Sequence, residues 1–105
     1  MFPAGGMGKY GKAFEDMQKK LQKLDVELKE RVVEAASGGG MVKVKVNGAE
    51  EIVDIKIEKE VINPDDKGML EDLVLAAANE AIKKAKKLRE AELAKVTGMM
   101  MPGLI

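Results

Sequence analysis

The sequence predicts an α+β fold in which an amphipathic helix, a set of antiparallel strands and a long C-terminal helix follow one another. Three patterns in the 105 residues support this prediction. Apolar residues recur every three or four positions before residue 30, valine and lysine alternate over 41–46, and a second helical pattern runs from about 64 to 96. A chain of this length forms one domain, so we predict a single domain over 1–105 with flexible ends at 1–8 and 98–105.

The first helix is predicted from Lys9 to Glu30. Its apolar residues are four, three, four, three and four positions apart, which places them all on one face of a helix. The spacing fits a helix packed on its own sheet as well as it fits a coiled-coil seam. The residues of this apolar face are Tyr10, Phe14, Met17, Leu21, Leu24 and Leu28.

The centre of the chain is predicted to form strands. A short strand over 31–36 ends at a run of three glycines, Gly38–Gly40, which we interpret as a connection between two strands. The next strand, 41–46, places its three valines on one face, because side chains alternate along a strand.

A hairpin is predicted directly after this strand. Asn47-Gly48 is typical of a two-residue turn, and the return strand is expected from about Glu50 to Glu58. Such a turn pairs Val46 with Ala49 and Val42 with Val53. It places the valines of the first strand on the same side of the sheet as Val53, Ile55 and Ile57.

The second helix is predicted to start at Asn63-Pro64, because a capping side chain, a proline and the acidic Asp65 and Asp66 follow one another there. It can run to about Val96. The residues that share its broad apolar face are Leu70, Leu73, Val74, Ala77, Ala81, Ala85 and Leu88.

The length of this second helix predicts a dimer. About 33 helical residues span about 50 Å, whereas a compact chain of this size is about 35 Å across, so the helix projects beyond the globule. Its far half still carries apolar residues such as Leu88, Leu93 and Val96. An apolar stripe in water favours a partner, and a second copy of the chain is the commonest one. We therefore expect a homodimer with protruding helical arms.

The composition argues against catalysis. The chain has no cysteine and no histidine, which excludes disulfides, thiolate zinc sites and catalysis by either residue. The acidic pairs at 65–66 and 71–72 are explained by the start of a helix. We expect no enzymatic activity, metal or cofactor. No stretch fits a membrane span or a signal peptide, so we expect a cytoplasmic protein that binds no membrane.

Charge is distributed unevenly although the formal net charge is zero. Residues 1–24 carry +3, residues 82–105 carry +4, and residues 25–81 carry −7. A polyanion responds to local charge within a Debye length of about 8–10 Å, so the basic ends are candidates for binding DNA. The basic residues of both ends are mostly lysines rather than the arginine forks that favour guanine, which predicts weak sequence preference. The candidate DNA-binding residues are Lys9, Lys12, Lys19, Lys20, Lys23, Lys83, Lys84 and Lys87.

Several segments together resemble the YbaB/EbfC nucleoid-associated proteins. They are the Met1-Phe2 opening with glycines at 5, 6 and 8, the Asn47-Gly48-Ala49 turn, and Met101-Pro102-Gly103. The most specific match is Met69–Val74 followed by Ala76–Ala81. The resemblance covers nearly the whole chain.

The resemblance implies a helix, a three-stranded antiparallel sheet and a long helix that form a tweezer-like homodimer. It also implies a protein without enzymatic activity that binds duplex DNA in the bacterial nucleoid and influences gene expression. The alternative is a protein-interaction scaffold, in which the sheet or the apolar tail 99–105 binds another DNA-processing protein in recombination or replication.

Overall fold

The computed structural model describes the backbone of residues 4–100 and the side chains of residues 11–98. Its elements are α1 (Ala4–Glu30), β1 (Val32–Ser37), β2 (Val42–Asn47), β3 (Ile52–Ile57) and α2 (Lys67–Met100). The strands form one antiparallel sheet in the order β1-β2-β3, so β1 and β3 are its edges. The predicted α+β class, with a helix on each side of three strands in the sequence, is confirmed.

Both helices extend beyond their predicted ends. α1 begins at Ala4, five residues before the predicted start at Lys9, and α2 continues to Met100 rather than stopping near Val96. Once a helix is nucleated, each added residue costs little, so glycines near a terminus need not end it. The flexibility of 1–8 and 98–105 stays a prediction, and residues 1–3 and 101–105 lie outside the described part.

The start of α2 is capped in two steps. The Asn63 side chain accepts a hydrogen bond from the Asp65 amide (3.0 Å), and Pro64–Asp66 form a short 3₁₀ turn. The α-helix proper begins at Lys67, where the Asp66 carboxylate accepts a bond from the Met69 amide (3.3 Å). The predicted capping residues are therefore correct, and the α-helix begins three residues after the proline.

The predicted hairpin register is wrong by four residues at Val42 and by three at Val46, because a β-bulge lies between Lys45 and Val46. Val42 pairs with Ile57 rather than with Val53, and Val46 pairs with Ile52 across a β-bulge rather than with Ala49. The loop is longer because the Asn47 side chain accepts bonds from the amides of Ala49 and Glu51 (3.0 Å each), which folds four residues into the turn. The shift at Val42 is even in number, so Ile55 and Ile57 still share the face of the β2 valines.

Gly48 allows a close contact between the hairpin loop and the end of α1, and it does not form the predicted two-residue turn. Its amide donates to the carbonyl oxygens of Leu28 (2.8 Å) and Arg31 (2.9 Å). A Cβ at position 48 would lie 2.7 Å from the Leu28 carbonyl oxygen, so the close approach requires glycine. The turn thereby fixes the C-terminal end of α1 against the sheet.

The core lies between the sheet and the first half of α2. Ala77, Ala81 and Ala85 of α2 are fully buried and pack against β1 and β2. The helix can approach the strands closely because these side chains are single methyl groups. The predicted apolar face of α2 is therefore confirmed, and its remaining members, Leu70, Leu73, Val74 and Leu88, are half-buried.

The molecule is elongated, with principal extents of 71 × 26 × 20 Å. The far half of α2 projects beyond the sheet as predicted, but α1 of the same chain packs against it. The stripe at Leu88, Leu93 and Val96 is half-buried as a result. The sequence did not show that α1 covers part of this stripe, and its further coverage by a second copy stays a prediction.

Candidate nucleic-acid interface

The two basic ends of the sequence meet in the fold. Residues 20–27 of α1, together with Arg31 just after its end, contact residues 89–96 of α2 through a shared cleft and two ion pairs. Segments that carry +3 and +4 in the sequence thus contribute to one projecting arm. The segment 25–81, which carries −7, supplies the last turns of α1, the sheet, its turns and the first half of α2. Tertiary structure therefore separates a basic arm from an acidic body.

Ion pairs join the helices at this crossing. The Arg31 guanidinium donates from Nη1 to Glu92 Oε1 (2.9 Å), and the Lys95 ammonium donates to the same oxygen (3.2 Å). A third pair, between Arg89 and Asp25, is longer, at 3.8 Å. Both residues of this pair are exposed, so it adds little stability.

Glu92 is the centre of this network. Its side chain is only 19 % exposed. Hydrogen bonds from Arg31 and Lys95 lower the pKa of the Glu92 carboxyl below its ordinary value, because both partners stabilise the charged form. The carboxylate is therefore ionised at neutral pH and its charge is compensated within the network.

An open cleft of about 340 Å³ lies beside the network, between α1 and α2. Leu24 and Val96 supply its apolar surface, and Lys20 and Lys23 of α1 face Lys95 of α2 across it. Glu27 and Glu92 complete the lining. Lysines from two helices converge here on a space that is open to solvent.

A second surface, on the other side of the molecule, is apolar. α2 covers β1 and β2 but leaves β3 largely uncovered. Ile55 is 44 % exposed, although it pairs with Val44, which is fully buried. A groove of about 500 Å³ runs between Ile57 and the α2 residues Leu70, Val74, Leu75 and Ala78. We call β3 and this side of α2 the apolar face.

The whole described backbone matches one known family. The sequence profile of the YbaB/EbfC DNA-binding family covers residues 4–100. The chain belongs to the YbaB/EbfC DNA-binding family. This family is described as DNA-binding, which accounts for a basic arm.

Curated YbaB/EbfC relatives carry the name nucleoid-associated protein. One from Alkaliphilus metalliredigens is 44 % identical over 96 % of this chain and 90 % of its own length. Another from Pelotomaculum thermopropionicum is 46 % identical over 95 % of this chain and 96 % of its own. A third, from Thermodesulfovibrio yellowstonii, is 64 % identical over 69 % of this chain, which spans 64 % of that relative's length.

A solved structure has the same fold. The crystal structure of an uncharacterized protein from Helicobacter pylori superposes with a TM-score of 0.76. It is 26 % identical, and the alignment covers 93 % of this chain and all of that one. No helix between residues 4 and 100 of the YbaB/EbfC chain has a segment long and apolar enough to cross a membrane.

The predicted DNA-binding lysines of α1 divide into two groups. Lys20 and Lys23 line the cleft, whereas Lys12 and Lys19 are exposed and do not line it. Lys9 lies in α1, but its side chain is outside the described residues. Of the four α1 lysines whose side chains are described, the structure brings two to the meeting of the helices.

The predicted lysines of α2 point away from the core. Lys83 and Lys87 are exposed on the helix side opposite the buried alanines, as the sequence predicted. Lys84 also has a structural contact, because its ammonium donates to the backbone oxygen of Glu34 in β1 (2.9 Å), and its part in DNA binding stays a prediction. This bond ties α2 to the edge of the sheet.

Sequence reasoning missed Lys95 as a cleft residue. It lies eighteen residues after Ala77, which is five full turns of an α-helix, so both face the same way. A side chain on this side of α2 is buried in the core where the helix covers the sheet, and it lines the cleft where the helix extends past the sheet. The sequence therefore contained a sign of this role: Lys95 is a cation on the core side of α2, at a point where the helix has passed the end of the sheet.

Proposed function

We propose that the protein binds duplex DNA as a homodimer through its basic arms, with low sequence preference. This binding takes place in the nucleoid, within the bacterial cytoplasm, and it affects gene expression. The observation that carries the proposal is the meeting of the two basic chain ends on one arm. Family membership supports DNA as the ligand. The separation of the basic arm from the acidic body supports the arm as the part of the protein that contacts the DNA.

The chemistry of the arm favours the DNA backbone over the bases. Lysine is a compact point charge that suits phosphate, whereas the arginine fork suits guanine edges. Between residues 82 and 105 the arm has five lysines and a single arginine, Arg89. Each phosphate contact releases counterions, so affinity falls steeply as salt rises.

Charge reversal tests this function. Changing Lys19, Lys23, Lys83 and Lys87 to Glu should abolish the mobility shift of a random-sequence duplex in dilute salt. The matched control reverses four exposed lysines of the acidic body, Lys43, Lys56, Lys59 and Lys67, and should retain most of the binding. Equal loss in both variants would assign the effect to net charge, and a wild-type chain that ignores duplexes at low salt would refute DNA binding altogether.

The apolar face supports the homodimer. Contiguous exposed apolar surface of this kind marks an interaction site, and β3 is also an edge strand with unpaired backbone groups on its outer side. Along β3 and α2, the exposed apolar residues are Ile52, Val53, Ile55, Ile57, Met69 and Leu75.

A second copy of the chain supplies an identical apolar face, which suits a two-fold contact between the two.

A pair of matched variants tests the dimer. Leu75 on the apolar face and Val26 on α1 are both 60 % exposed. Leu75→Glu should convert the dimer to a monomer in sedimentation equilibrium, whereas Val26→Glu should leave the mass unchanged. A wild-type monomer at micromolar concentration would contradict the dimer and would favour the scaffold function, in which the apolar face binds a different protein.

A further inference from the structure

The cleft between α1 and α2 differs from the rest of the arm in its construction. Lysines from two separate helices, Lys23 and Lys95, face one space, and the apolar Leu24 and Val96 form part of its wall. Elsewhere on the arm, Lys83 and Lys87 stand on one helix and face open solvent. A group held in the cleft would contact both helices at once.

The arrangement of charges favours an anion in this space. The Glu92 side chain is 19 % exposed, whereas the Lys95 side chain is 69 % exposed, so the acid lies deeper than the cation. Arg31 also contacts Glu92, through the same Oε1 at 2.9 Å, and helps to neutralise it. The Lys95 ammonium can therefore turn toward a ligand without leaving Glu92 unpaired.

We infer that this cleft holds a backbone phosphate of the bound DNA between the two helices, with Lys95 and Lys23 as its ligands from opposite walls. The inference rests on the proposed function and specifies it: DNA runs along the cleft side of the arm. A backbone phosphate needs charge and several donors but no base contact. The site therefore contributes affinity without sequence preference.

The salt dependence of duplex binding tests the inference. In Lys95→Gln, one phosphate per arm is no longer neutralised, so the slope of log K against log salt should become shallower by about 0.9 for each arm that contacts the duplex. Binding should also weaken equally for AT-rich and GC-rich duplexes. The matched control, Lys67→Gln at the opposite end of the same helix, should leave the slope unchanged. Thermal melting should show that both variants are folded.

A double variant separates phosphate binding from simple neutralisation of Glu92. If Lys95 binds phosphate, Glu92→Gln tightens DNA binding, and Lys95→Gln with Glu92→Gln keeps the reduced slope. If Lys95 only neutralises Glu92, the double variant regains the wild-type slope, and this result overturns the inference. An unchanged slope in Lys95→Gln, in a wild-type background that binds DNA, overturns the inference while the proposed function stands.

Discussion

The two halves of α2 use the same helical side for different contacts. Over the sheet, that side consists of fully buried alanines that let the helix lie close to β1 and β2. Past the sheet, it carries Glu92 and Lys95, which form ion pairs at the crossing with α1. One half of the helix is therefore held by apolar packing and the other by charge.

This difference separates stability from function. Apolar burial contributes roughly 25 cal/mol per Å² removed from water, and it acts in the first half of α2. Exposed ion pairs contribute at most about 1 kcal/mol each, so the second half adds little to folding. Its charges are correspondingly available for a ligand, and changes in the two halves should have different consequences.

The largest expected effect comes from enlarging a side chain in the packed half. Ala81→Leu places three extra carbon atoms at a fully buried position, and it should lower the free energy of unfolding by about 3 kcal/mol. Urea denaturation at fixed protein concentration measures this change. The matched change in the arm half, Ala94→Leu, is at an exposed position and should stay within about 0.5 kcal/mol of wild type. Similar losses in both would contradict the division of the helix.

An intermediate effect is expected where α1 joins the packed body. Gly48→Ala would place a methyl group 2.7 Å from the Leu28 carbonyl oxygen and should cost about 2 kcal/mol. Gly68→Ala, in the first turn of α2, meets no atom within 4 Å and should instead stabilise by about 0.5 kcal/mol. Chemical denaturation of both variants checks the opposite signs. A neutral Gly48→Ala would mean that α1 is not fixed at this point.

The smallest expected effect is the pH dependence of the arm half. Because the pKa of Glu92 is lower in the fold than its value of about 4.3 in an unfolded chain, its charged form stabilises the fold above that pH. This contribution is lost as pH falls through the folded pKa. The difference in stability between wild type and Glu92→Gln should therefore be greatest at neutral pH and should shrink as the pH falls below the pKa of Glu92 in the unfolded chain. Thermal melting of both proteins over a pH series measures this difference. In an Arg31→Gln background the difference should be smaller at every pH.

Local patterns predicted most of the fold. The spacing of Leu24 and Leu28 identified the buried side of α1, although Phe14 of the same predicted face is 61 % exposed. Ala77, Ala81 and Ala85 identified the core side of α2. Asn63 capped the start of α2 as expected. These features depend on residues a few positions apart, so the sequence displays them directly.

Long-range contacts account for the parts that were not predicted. Asn47-Gly48 has the composition of a tight turn, but Gly48 is placed by its bonds to the end of α1, and the hairpin register moved by four residues at Val42. Lys84 had the spacing of a DNA ligand, yet it donates to Glu34. Lys95 was missed because its role depends on where the sheet ends.

The sequence by itself determined the elements, the apolar sides of both helices, the basic ends and the family, because these properties reside in residue type and local spacing. Only the tertiary structure decided that α1 packs along the far half of α2, that the two basic ends share one arm, and that β3 keeps an apolar face uncovered. The reason is that α2 is longer than the sheet is wide. The same helical side therefore meets strands at one end and α1 at the other, and no local pattern records where that change occurs.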